Sequence, residues 1–174
     1  TTGGINGTND SPSAPGIPGS GGGAKTGGDT GGDGGGLITI QASNGTVTIN
    51  GTISANGNNT FGAGSGGGGA GGGIYINCAT FGGSSTGLLS AIGGNGDGFG
   101  GGGGGGRIAV IYQALARPLG VKFSAERGTG ADNNPGFTTS AQKGTIYFPD
   151  ANLFNARIAD AGGMLKGFWG TICG

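Results

Sequence analysis

Eight carboxylates are the groups in this chain best suited to general acid or base work: Asp10, Asp29, Asp33, Asp97, Glu126, Asp132, Asp150 and Asp160. Glycosidic-bond cleavage would require two of them held across one site. None recurs at an interval that would stack it on another acid, so a polysaccharide-degrading β-helix is the least favoured function class. The chain has no histidine, which removes the commonest general base and metal ligand. Cys78 and Cys173 are the two cysteines and cannot complete a tetrahedral zinc site alone. No catalytic residue, cofactor or metal ligand is expected.

Motifs built on glycine carry little information here. With 51 glycines in 174 residues, a G-x-G-x-x-G string arises by chance about four times, so such matches do not indicate phosphate binding. Residues 19–26 read GSGGGAKT and approach a P-loop, but Ala24 stands where the glycine before Lys25 belongs, and no strand-loop-helix context surrounds it. Asp29 and Asp33 in TGGDTGGDGGG and Asp97 in GNGDGFG are similar to calcium-binding glycine-aspartate turns. The nine-residue register of such β-rolls is absent, which leaves them as polar turn residues.

Lysine plus arginine equals aspartate plus glutamate, at eight each, so no net field recruits nucleic acid or an acidic membrane. The signs are segregated: up to residue 106 Lys25 is the single base against four acids, whereas Arg107, Arg117, Lys122, Arg127, Lys143, Arg157 and Lys166 follow. That asymmetry is compatible with head-to-tail contacts between copies. No window approaches the length of a membrane span, so membrane insertion is not expected. The opening Thr1 reads as a processed or excerpted chain.

The elements that must position these residues follow from a repeat. Ser-Ala recurs at Ser54, Ser90 and Ser124, each after an apolar residue (Ile53, Leu89, Phe123), with spacings of 36 and 34. Independently, Ile38, Ile74, Ile108 and Ile146 head β-forming runs at spacings of 36, 34 and 38. Two anchors that drift together define units of about 1–42, 43–79, 80–114 and 115–150, followed by an apolar segment, 151–174. In the second unit Val47, Ile49 and Ile53 alternate with threonine and serine around Asn50-Gly51, the period-two pattern of strands joined by a turn. A strand with one apolar face must bury it against neighbouring repeats. The predicted fold is therefore all-β, a parallel β-helix or solenoid of about four units of roughly 36 residues. Residues 61–73 and 93–106 are mostly glycine and read as long loops. The alternative is a bundle of polyglycine-II helices packed on the strands, exchanging hydrogen bonds backbone to backbone.

Residues 44–57, NGTVTINGTISANG, and Gly101 to Gly106 followed by Arg107-Ile108-Ala109-Val110 resemble bacterial secreted or surface proteins with glycine-rich β-helical repeats. The resemblance covers about residues 37–148. It implies a right-handed parallel β-helix at the cell surface or in an extracellular matrix, and it brings no catalytic residues.

In an exported protein, Cys78 and Cys173 read as one disulfide, two unpaired buried thiols being the alternative. Asn6, Asn44, Asn50 and Asn58 each open a glycosylation sequon. Leu153, Phe154, Phe168, Trp169 and Ile172 make the tail strongly apolar. It is expected either to cap the solenoid or to contact another copy by strand addition. The expected function is a non-enzymatic structural or adhesive protein, either a filament or matrix subunit or a segment of a surface adhesin. A glycan- or ice-binding module is the alternative.

Overall fold

A computed structural model describes residues 10–24, 30–61, 65–130 and 141–153, together with the backbone of 165–166. The strands are β1 (Leu37–Ile49), β2 (Thr52–Ser54), β3 (Gly73–Gly83), β4 (Leu88–Ser90), β5 (Arg107–Leu115), β6 (Lys122–Ser124), β7 (Thr145–Tyr147) and β8 (Leu165–Lys166). They form two open four-stranded sheets in the orders β1-β3-β5-β7 and β2-β4-β6-β8, with every pairing parallel. The all-β expectation holds, and neither sheet closes on itself.

The two sequence anchors are the two ladders. Ile38, Ile74, Ile108 and Ile146 are successive partners in the first sheet, and Ser54, Ser90 and Ser124 in the second. The drift from 36 to 34 lies in the glycine excursions, since residues 55–72 between β2 and β3 outnumber residues 91–106 between β4 and β5 by two, whereas a second irregularity cancels within one unit. β1 carries two extra residues between Ala42 and Thr46, against Cys78 and Thr80 of β3, so Asn44-Gly45 bulges. The connection from β3 to β4 is two residues longer than Asn50-Gly51 and restores the offset at Thr52 and Leu88. The unit boundaries expected at 42/43, 79/80 and 114/115 fall inside β1, β3 and β5. Runs that read as the end of one unit and the start of the next are single strands.

The core lies between the sheets. Ile74, Ile76, Cys78 and Phe81 of β3, Ile108, Val110 and Tyr112 of β5, Leu89 of β4 and Phe123 of β6 belong to one buried cluster. Cys78 and Phe81 both face inward although three residues apart, so the alternation slips once. The β3–β5 pairing skips Ala79 and Gln113 at that place. A bend there lets both arms of a long strand keep their apolar residues on the core side. Phe123 meets Phe81 at 6.3 Å and Phe148 edge-on at 5.0 Å, which links the sheets through aromatic contacts.

The glycine-rich segments are ordered against one another. Along 67–72 successive backbone N–H groups donate to the carbonyls of Gly23, Gly101, Asn58, Ser20, Gly104 and Ala55, at 2.7 to 3.0 Å. Every third donor returns to the same neighbour: Gly67 and Ala70 to 20–23, Gly68 and Gly71 to 101–104, Gly69 and Gly72 to 55–58. One third of a turn per residue is the period of the polyproline-type helix, whose bonds all go outward. Side chains are excluded where backbones pack this closely. A Cβ on Gly69 would overlap the Asp33 carbonyl, and one on Gly103 the Gly69 carbonyl.

Candidate functional site

Each described carboxylate is engaged by a partner of its own or stands apart from the others. Asp10 lies 3.5 Å from Arg107, both side chains largely buried, and its Oδ1 accepts the Gly16 N–H at 2.8 Å. This pins residues 10–16 to β5. Asp33 is exposed in the glycine layer, where its backbone carbonyl accepts the Asn58 N–H. Asp97 Oδ1 accepts the Gly98 N–H at 2.7 Å and closes a turn with Gly98 at φ 54°, a left-handed conformation suited to glycine. Glu126 pairs with Lys143 at 3.6 Å near the surface. Asp29, Asp132 and Asp160, and Lys25 of the P-loop-like string, lie outside the described residues. Among the described residues no group of three histidine, cysteine, aspartate or glutamate side chains could hold a metal.

Asp150 occupies the most structured polar site. The Tyr112 hydroxyl donates to its Oδ1 at 2.6 Å, and the Asn152 backbone and side chain each donate at 2.9 Å. Burial pushes the Tyr112 phenol above its ordinary value, and the Asp150 carboxylate adds to this. For Asp150 burial acts upward, but the bonds from Tyr112 and Asn152 outweigh it and hold the carboxyl below its ordinary value. The pair borders an open depression of about 260 Å³ shared with Gln113 and Arg117. It offers one carboxylate, already bound by three donors, where hydrolysis of a glycosidic bond needs two.

A second constellation sits on the glycine layers. Asn56 Oδ1 accepts the Ser90 hydroxyl at 2.7 Å and the Ile92 N–H at 2.9 Å. Further out, Asn59 Oδ1 accepts the Asn95 N–H at 2.7 Å, and Asn95 Oδ1 accepts the Thr129 N–H at 2.9 Å. Beside these exposed rungs stand Phe61 and Phe99, 66% and 69% exposed, whereas Phe81, Phe123 and Phe148 are buried. Sequence reasoning missed this site. Its signal is the recurrence of asparagine at the ladder spacing, with phenylalanine set inside glycine runs that have no core to bury it.

Asn44, Asn50 and Asn58 are exposed, and Asn50 Oδ1 accepts the Ser84 N–H at 3.0 Å, stabilising the turn between sheets. Leu153 is completely buried in the chain's own core. Its side chain is therefore not exposed at a surface. Cys78 is buried and forms no disulfide with a described residue, and burial raises its thiol pKa. The expected partner Cys173 lies outside the described residues, as do Asn6, Phe154, Phe168, Trp169 and Ile172. No helix among the described residues is long and apolar enough to cross a membrane. No protein-family model, curated protein or solved structure matches this chain.

Proposed function

We propose that this chain is a non-enzymatic structural or adhesive module of the cell surface or extracellular matrix. In this reading it is a right-handed parallel β-solenoid whose glycine excursions pack as polyglycine-II helices beside it. The observation that carries the proposal is the three-way hydrogen-bond exchange around residues 67–72. That exchange turns what would be floppy loops into stacked, rigid layers, which suits display or mechanical support more than turnover. Right-handedness follows from the strong chiral preference of parallel crossovers. The separate engagement of the described carboxylates favours a non-catalytic role.

Self-association is part of the proposal. At the β1 and β2 end, Ile38, Ile40 and Ile53 are only partly buried, whereas Ile74, Ile76 and Leu89, their partners one layer in, are fully buried. Among the described residues no strand pairs with the outer edge of β1, and β1 carries no lysine, arginine or proline to protect that edge. A second copy stacked head to tail would cover both the apolar end and the edge. Electron microscopy of native material tests this. Filaments, dispersed to single particles by Ile40→Lys, are expected. Single particles at all concentrations would overturn the self-association, and release of reducing sugar from a polysaccharide would overturn the non-enzymatic reading.

A further inference from the structure

Phe61 and Phe99 are the two most exposed large apolar side chains among the described residues, and both belong to the glycine excursions. The excursions that carry them are adjacent. Thr60 N–H donates to the Asn95 carbonyl at 3.0 Å and Asp97 N–H to the Gly66 carbonyl at 3.2 Å. Each ring is also held outward by its own backbone. The Phe61 carbonyl accepts from both the N–H and the hydroxyl of Thr30, at 3.3 and 3.2 Å, and Thr60 Oγ1 donates back to the Thr30 carbonyl at 3.1 Å. Phe99 follows Gly98 in the turn closed by Asp97, where Gly100 N–H donates to the Asp97 carbonyl at 2.7 Å. Glycine-rich chain would normally lose much entropy on ordering at a ligand. Here these bonds already fix the described backbone at both rings, so the rings are presented in advance.

We infer that Phe61 and Phe99, with the exposed rungs Asn59, Asn95 and Thr129, form a binding face for an extended neutral glycan. A pyranose has an apolar C–H face, which suits an isolated aromatic ring, and a hydroxyl rim, which suits amide and hydroxyl side chains. A protein partner would be expected to anchor on a contiguous desolvated patch, with surrounding contacts that exclude water. Here the two rings stand apart from the core, among polar residues and bare backbone. The exposed carboxylates Asp33 and Asp97 and the exposed Arg127, two residues from Thr129, carry mixed charge, so no one-sided field favours a charged glycan over a neutral one. This assignment rests on the adhesive reading above and names its surface and ligand class.

The test is calorimetric titration of the full chain with chitohexaose, cellohexaose and mannohexaose, each incubation also assayed for reducing ends. Binding to at least one is expected, with Phe61→Ala and Phe99→Ala each weakening it about tenfold. Phe99→Trp should retain it, and the thermal transition should not move, because both rings are exposed. Absence of binding to all three, or equal binding by the double alanine variant, would overturn the assignment while leaving the structural reading intact. So would adhesion to a protein-coated surface that the double variant loses, since that points to a protein partner. New reducing ends would instead overturn the non-enzymatic reading.

Discussion

Asn59 Oδ1 accepts the backbone N–H of Asn95 at 2.7 Å, and Asn95 repeats the same bond to Thr129 at 2.9 Å. One carboxamide per layer therefore satisfies a main-chain donor of the next. Asn95→Ala is expected to cost about 1 kcal/mol, the usual net value of such a bond. Chemical denaturation of the variant checks this, and hydrogen exchange should show Thr129 N–H losing protection first.

Glycine is required where backbones interlock or where φ is left-handed, as at Gly98, and is replaceable where the space is open and φ is ordinary. A Cβ on Gly69 or Gly103 would overlap main-chain carbonyls, whereas one on Gly36 or Gly51 meets nothing within 4 Å. Gly69→Ala and Gly103→Ala should each destabilise by more than about 3 kcal/mol, because rigid backbone must move. Gly36→Ala should lie within about 1 kcal/mol of the parent and can stabilise by restricting the unfolded chain. Thermal melts of the three variants distinguish the cases.

The Tyr112 and Asp150 bond makes stability depend on pH at both extremes. The native carboxyl sits below its ordinary value, so its contribution is complete above about pH 4, the unfolded range. It fades as the pH falls through the depressed native value. The native phenol sits above its ordinary value, so its contribution is present below about pH 10 and is lost as pH rises through the native value. Tyr112→Phe should cost about 1–2 kcal/mol at neutral pH. Urea titrations from pH 3 to 7 should show the difference from the parent shrinking at the acid end.

The Asp10 and Arg107 ion pair fastens residues 10–16 to the outer face of the first sheet. Asp10→Ala removes this charge-assisted contact and the bond to the Gly16 N–H together, at a cost of about 2 kcal/mol. Asp10→Ala should therefore lower the melting temperature and open this segment to limited proteolysis, read by mass spectrometry. Protection equal to that of the parent would count against the tether.

Cys78 is inaccessible and its thiol pKa is raised by burial, so the reactive thiolate is scarce. Iodoacetamide should leave the Cys78 peptide unmodified in native protein and alkylate it fully in denaturant.

Much of the β framework was legible because it is written in local pattern. Ile38, Ile74 and Ile108 mark one ladder and Ser54, Ser90 and Ser124 the other, since parallel strands in register must repeat at the length of one unit. The phase of that unit was not legible. Ala42 and Val47 look like the end and start of separate strands, yet a bulge around Asn44-Gly45 joins them. Local alternation does not distinguish a break from a bulge.

The sequence by itself determined the all-β class and the repeat length, because side-chain alternation and period are properties of neighbours along the chain. Only the tertiary structure decided the state of the glycine segments. Glycine carries no side chain to signal a partner, and the bonds of residues 67–72 reach chain as distant as Ser20 and Gly104. The same long-range packing decided that Phe61 and Phe99 face solvent while Phe81 and Phe123 are buried. Identical residue types diverged because two lie between sheets and two stand on layers made almost wholly of backbone.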